Sequence, residues 1–166
     1  DGALLFTSGY VSNDATLSTL AKILPGCIIY SDELNHASMI AGIRNSGCEK
    51  RVWRHNDLAH LKELLAESDP DVPKLIAFES VYSMDGDHAP LAKMVELKET
   101  HGAWLMVDEA HGTGLYGAAG QGLADELRLA QAIEVKMGTL GKALGSAGGF
   151  ICGSCPLIDF LVNRAR

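Results

Sequence analysis

The chain has 166 residues, 47% apolar and 21% charged, enough to bury one sizeable core and too balanced for a disordered segment. Fourteen basic against 21 acidic residues leave a formal net charge of −7, a poor match to nucleic acid or an anionic membrane surface. No run approaches the ~18 consecutive apolar residues of a membrane span.

In chain order, residues 3–7 form a short apolar run of β type, followed by Ser8-Gly9-Tyr10 and a stretch with helical spacing over residues 13–24. Residues 27–31 predict a second strand, ending at Asp32-Glu33-Leu34-Asn35-His36, with a helix over 37–45 that Gly47 stops. A strand over 51–55 precedes Asp57, an N-cap for a helix over 58–67. Residues 74–79 and 104–108 read as strands covered on both faces, because Leu75-Ile76-Ala77-Phe78 and Leu105-Met106-Val107 are continuously apolar. Between them lies a helix over 91–100 that ends at Gly102. Strands over 135–137 and 149–152 follow, and residues 163–166 lie on what reads as an unfinished helix. There is no initiator Met and no signal-peptide pattern, so the chain reads as a piece of a longer one. Alternation of this kind predicts an α/β domain, a mostly parallel sheet flanked by helices.

Ligands collect at the carboxyl ends of parallel strands. Five successive strand ends here carry polar groups: Ser8 to Tyr10, Asp32 to His36, Ser80 to Asp87, Asp108 to Gly112, and Thr139 with Lys142. Glycine, 18 residues in all, is concentrated between Gly112 and Gly153, where tight turns let backbone and ligand approach.

Asp108-Glu109-Ala110-His111 invites comparison with ATP-driven motors, but the phosphate loop that chemistry needs is missing upstream. No G-x-G-x-x-G opens a helix after a strand, which argues against a dinucleotide. Cys152 and Cys155 have C-x-x-C spacing without a second ligand pair, so no metal is expected. Four cysteines without a framework suit a reducing, cytosolic setting. His55, His60, His88 and His101 lack ligand spacing and read as solvated. Lys142, in a glycine-rich turn, is the residue type that bonds carbonyl cofactors covalently. Pyridoxal phosphate needs such a lysine, an acidic partner for its ring nitrogen and a phosphate cradle. Lys142, Asp108, and Ser8-Gly9-Tyr10 with Thr139 supply these.

Six motifs occur in order across nearly the whole chain: Phe6-Thr7-Ser8-Gly9-Tyr10, Asn35-His36-Ala37-Ser38, His55-Asn56-Asp57, Ser83-Met84-Asp85-Gly86-Asp87, Asp108-Glu109-Ala110-His111-Gly112 and Gly138-Thr139-Leu140-Gly141-Lys142. On these motifs the chain resembles the α-oxoamine synthases, pyridoxal-phosphate enzymes of the type I aminotransferase fold. The resemblance implies that residues 1–166 are the large cofactor-binding domain of that fold, incomplete, lacking an N-terminal segment and the C-terminal small domain. It implies an acyltransferase that condenses a small amino acid with an acyl-CoA, releasing CoA and carbon dioxide.

The resemblance also implies roles. Lys142 binds the cofactor covalently and acts as general base, and Asp108 pairs with the ring nitrogen. His36 stacks on the ring, and Ser83 and His111 hydrogen-bond its oxygen. Ser8, Gly9, Tyr10 and Thr139 hold the phosphate. The full-length protein is expected to be a homodimer that completes the site between subunits. Residues 8–54 look most like the branch that joins glycine to succinyl-CoA. Gly112-Thr113-Gly114 and residues 149–154 look more like the branch that joins alanine to pimeloyl-CoA, with the 2-amino-3-ketobutyrate ligases a further alternative. The balance leans to the first pair. A cofactor-binding fragment without turnover is the alternative of another class.

Overall fold

In a computed structural model describing residues 1–165, one seven-stranded sheet runs in the order β1-β7-β6-β5-β4-β2-β3. The strands are β1 Gly2–Phe6, β2 Ile28–Asp32, β3 Glu49–Trp53, β4 Lys74–Glu79, β5 Ala103–Asp108, β6 Val135–Thr139 and β7 Gly149–Gly153. The pairs β3/β2, β2/β4, β4/β5 and β5/β6 are parallel, and only β7 runs against its neighbours β6 and β1. The helices are α1 Gly9–Ile23, α2 Ala37–Ser46, α3 Leu58–Ala66, α4 Leu91–His101, α5 Leu123–Glu126 and α6 Cys155–Arg164. Arg166, at the end of the expected last helix, lies outside the described residues.

The two faces of the sheet are covered by different helices, as continuously apolar strands require. On β4, Leu75 and Ala77 point to a core shared with α1, α2 and α6, through Leu17, Leu20, Met39, Ile43 and Leu161. Ile76 and Phe78 point the other way, onto Leu61 and Leu65 of α3 and Leu91 and Met94 of α4. The period of two along the strand sorts the side chains between layers.

Local chemistry explains the helix ends. Ser8 caps α1 by accepting Val11 N at 3.1 Å. Asp57 caps α3 by accepting His60 N at 2.9 Å. Gly47 and Gly102 close α2 and α4 with φ of +71° and +62°, a conformation that costs glycine little.

Four elements differ from expectation: β3 and α1 are shifted, α5 is not predicted, and α6 ends at Arg164 with Ala165 extended, where an unfinished helix is expected. β3 lies at Glu49–Trp53, two residues earlier than the predicted 51–55, because its register pairs Ile28 with Glu49 and Asp32 with Trp53. It is an edge strand in which only Trp53 is fully covered, so its apolar pattern is weak. α1 starts at Gly9, four residues before the predicted residue 13.

Gly149 of β7 lets that earlier start touch the sheet: a Cβ there would lie 2.7 Å from Gly9 Cα and 2.8 Å from Gly9 N. Gly149→Ala is expected to push the first turn of α1 off the sheet and to cost about 1–3 kcal/mol, as overpacking does. Chemical denaturation measures the loss, and an unchanged midpoint would contradict the close approach.

Candidate active site

The carboxyl ends of β2, β4, β5 and β6 and the start of α1 converge on a cavity of about 130 Å³. Gly9, Tyr10, His36, Asp108, His111, Thr139 and Lys142 all line it, so the structure brings together seven of the residues singled out from the sequence. A larger, shallower depression of about 670 Å³ lies among Gly120, Ala124, Leu144 and Phe150. No histidine lines it, its buried Glu109 is taken up by the amides of Leu123 and Ala124, and its Lys136 donates to Ala130 O at 2.9 Å; the smaller cavity joins histidines, a lysine and buried carboxylates, as a reactive site does.

Asp108 ends β5 and is 3% exposed. Its Oδ2 accepts Asn13 Nδ2 at 2.7 Å and its Oδ1 accepts Ala110 N at 2.8 Å. The carboxylate is held rigidly, and it has no lysine or arginine ion-pair partner among the described residues. A buried anion with no cation beside it is the arrangement a protonated ring nitrogen would complete. Lys142 sits in a non-helical turn closed by Gly145 N donating to Lys142 O at 3.0 Å.

In the first turn of α1, Val11 N is taken by the Ser8 cap, while the amides of Gly9 and Tyr10 precede any helical acceptor. Such amides bind phosphate at helix starts. Ser8 itself serves as this cap and does not line the cavity. Thr139 Oγ1 does, donating to Gly148 O at 3.2 Å and accepting Gly141 N at 3.3 Å. Ser83 lies in the exposed loop after β4, outside the lining.

His111 leaves Nδ1 buried without a hydrogen-bond partner, a group that a ligand oxygen could satisfy. Burial, then the charge of Lys142, lowers its pKa, so the ring stays neutral at physiological pH. The residues therefore fit pyridoxal phosphate: an isolated buried carboxylate, a reachable lysine, free helix-start amides and an orphaned ring nitrogen.

Sequence reasoning missed Glu79, Asn13 and Ser38, which also line the cavity. Glu79 ends β4, is 2% exposed and accepts His36 N at 2.7 Å through Oε1. Burial, and then the negative charge of Asp108, raises its pKa to about 7, against the pull of the His36 amide and Lys142. The only signal for it was its place at a buried strand's carboxyl end.

A folded-state pKa raised in this way makes the fold hold a proton that the unfolded chain has released. Its stability is full below the ordinary glutamate value and falls as pH rises toward 7, by at most about 1.4 kcal/mol per pH unit. Glu79→Gln should flatten that part of the stability profile in cofactor-free protein, measured by urea denaturation between pH 5 and about 7. An identical slope in the variant would exclude Glu79 as its source.

The reading of His55 as solvated is corrected. His55 is half-buried between two acids, with Nδ1 2.9 Å from Asp32 and Nε2 2.8 Å from Asp87. Burial opposes its charge, but the hydrogen bonds and the negative charge of both acids outweigh it and raise the pKa. The carboxyl end of β2 and the loop after β4 are thereby tied together. His60 and His101 are half-buried as well, so of these four histidines only His88 is exposed. His60 accepts Arg54 N at 3.0 Å.

Known proteins share this sequence pattern and fold. The family model for aminotransferase class I and II matches residues 1–166. The 5-aminolevulinate synthase of Paracoccus denitrificans is 54% identical over 165 residues, 99% of this chain but 40% of that protein. The chain therefore spans about two fifths of that relative's length.

A serine palmitoyltransferase from S. paucimobilis with bound PLP–myriocin superposes with a TM-score of 0.94 at 35% identity, over 99% of this chain and 41% of that one. The 8-amino-7-oxononanoate synthase of Francisella tularensis superposes with a TM-score of 0.83 at 29% identity, over 97% and 45%. All three are α-oxoamine synthases, the group the six motifs resemble, and the fold is that of type I aminotransferases. Matched along its whole length, the chain belongs to the aminotransferase class I and II family.

Proposed function

We propose that this chain is the cofactor-binding part of a pyridoxal-phosphate-dependent acyltransferase that condenses a small amino acid with an acyl-CoA, releasing CoA and carbon dioxide. The observation that carries the reading is Lys142 facing the same small cavity as the buried, rigidly held carboxylate of Asp108. Glycine and succinyl-CoA are the substrate pair we favour, because the 5-aminolevulinate synthase relatives are 53–55% identical over 165 residues, 99% of the chain.

When bound, pyridoxal phosphate supplies an electron sink that stabilises negative charge at the α-carbon of the amino acid. The negative charge of Asp108 would hold the ring nitrogen protonated. Lys142 Nζ would hold the cofactor covalently, and as a free amine it would take the α-proton as general base. His36 would lie against the ring, and His111 would meet its oxygen through its unpartnered nitrogen. The amides of Gly9 and Tyr10, with Thr139, would hold the phosphate. Ser83, whose main-chain amide reaches the cavity-lining Glu79 carboxylate, is assigned to the ring oxygen on the same reading.

We place the active form as a homodimer. Leu5, Leu115 and Leu144 are 70%, 70% and 52% exposed, and such apolar surface suits coverage by further chain or a second subunit. The setting we assign is cytosolic; curated animal relatives carry the word mitochondrial in their names. No helix among the described residues is long and apolar enough to cross a membrane.

The test is CoA release by the full-length protein, with glycine and alanine each crossed against succinyl-CoA and pimeloyl-CoA. Fastest release from glycine with succinyl-CoA is expected. Preference for alanine with pimeloyl-CoA would transfer the assignment to the other branch, toward which Gly112-Thr113-Gly114 points. Cofactor absorbance without release from any pair would leave a binding module and no acyltransferase.

A further inference from the structure

The hydrogen bonds behind His36 run in one direction only. Asn13, on α1, is fully buried, with Nδ2 2.7 Å from Asp108 Oδ2 and 3.0 Å from Ser38 Oγ. Its amide cannot be turned over, because Oδ1 would then face the Asp108 carboxylate with no proton between them. Both Nδ2 hydrogens are thus donated, and Oδ1 is the atom left without a partner.

Ser38 Oγ is therefore an acceptor toward Asn13, and its own proton is free for the next atom. That atom is His36 Nδ1, 2.7 Å away. The backbone N–H of Ser38 points to the same nitrogen at 3.2 Å, as part of the α2 N-cap. Two donors converge on Nδ1, which can receive them only without a proton of its own. The main-chain N–H of His36 is already given to Glu79 Oε1 at 2.7 Å.

The reach from α1 to α2 depends on their close packing. At Gly42 of α2 a Cβ would lie 2.9 Å from Asp14 Cα and 2.9 Å from Leu17 Cβ. Any larger residue would separate Asn13 from Ser38.

We propose that Asn13 and Ser38 are positioning residues that hold the neutral His36 ring in its Nε2–H tautomer, so that its free edge offers the cavity a hydrogen-bond donor. Because one Asn13 amide serves both Ser38 and Asp108, the tautomer of the ring-covering histidine is tied to the carboxylate that faces the cofactor nitrogen. The consequence for turnover rests on the acyltransferase reading; the tautomer does not.

The tautomer is read by long-range 1H–15N correlation on the full chain labelled at histidine, with the His36 signals assigned by their loss in His36→Gln. An acceptor-type Nδ1 and a protonated Nε2 are expected in the wild type. Ser38→Ala should move the pattern toward a mixture of tautomers and lower kcat for CoA release about 5–10-fold, the worth of roughly one hydrogen bond, with KM for acyl-CoA nearly unchanged. Ser38→Thr, which keeps the hydroxyl, should restore both.

A wild-type ring protonated on Nδ1 overturns the proposal, and that result needs no variant to fold. An unchanged pattern in Ser38→Ala overturns it as well. A wild type with the expected tautomer that releases no CoA from any substrate pair supports the proposal and refutes the acyltransferase reading instead.

Discussion

Lys142→Ala in the full-length protein is expected to abolish the long-wavelength absorbance that pyridoxal phosphate gains on bonding to a lysine. It should lower CoA release by at least the roughly 10²–10⁴-fold that a positioned general base contributes. On the proposed function the side chain has two tasks that no neighbour can assume. Glu79 is engaged by the His36 amide, and His111, with its lowered pKa, lacks the primary amine needed for a covalent bond. Lys142→Arg keeps the positive charge but neither forms that bond nor releases a proton near neutral pH, so it should not restore activity. The turn holding Lys142 is closed by main-chain bonds, Gly145 N to Lys142 O at 3.0 Å and Ser146 N to Leu140 O at 2.8 Å. Substitution of the side chain should therefore leave the fold intact. Normal turnover by either variant would sink the assignment.

Asp108→Asn should have the second largest effect, a loss of about 10²–10³-fold in kcat/KM, the scale for removing a preorganised electrostatic group. The amide is nearly isosteric but has a single acceptor oxygen, so it can keep the bond from Ala110 N at 2.8 Å while its NH2 replaces the oxygen that accepts Asn13 Nδ2 at 2.7 Å. The larger loss is the buried negative charge that would keep a ring nitrogen protonated. The bond to Lys142 should still form, so the absorbance band should survive while turnover collapses. That pattern separates Asp108 from Lys142 in one pair of measurements. Full activity of Asp108→Asn would show that the charge does not act on the cofactor.

Much of this architecture was legible from local patterns. Leu75-Ile76-Ala77-Phe78 required a strand buried on both faces, and β4 is buried throughout. Ser8 and Lys142 were noticed for their residue type and neighbours, though Ser8 serves to cap a helix and does not line the cavity. The elements that were missed depend on distant partners. The four-residue α5 has no periodic pattern, and its start is held by Glu109, whose carboxylate accepts Leu123 N at 3.1 Å and Ala124 N at 2.8 Å. His55 lacked ligand spacing because its partners, Asp32 and Asp87, lie 23 and 32 residues away.

By itself, then, the sequence determined the α/β class, the helix stops at Gly47 and Gly102, and the residue types able to hold a carbonyl cofactor. Periodicity, capping and side-chain chemistry are properties of a few neighbouring residues and need no fold to be read. Tertiary structure alone decided that Asn13, Ser38 and Glu79 belong to the site. Asn13 meets Asp108 across 95 positions of chain, and His36 meets Glu79 across 43. Such contacts exist only once parallel strands are laid side by side and α1 is pressed against α2, because burial and donor direction belong to the packed layers and not to any one segment.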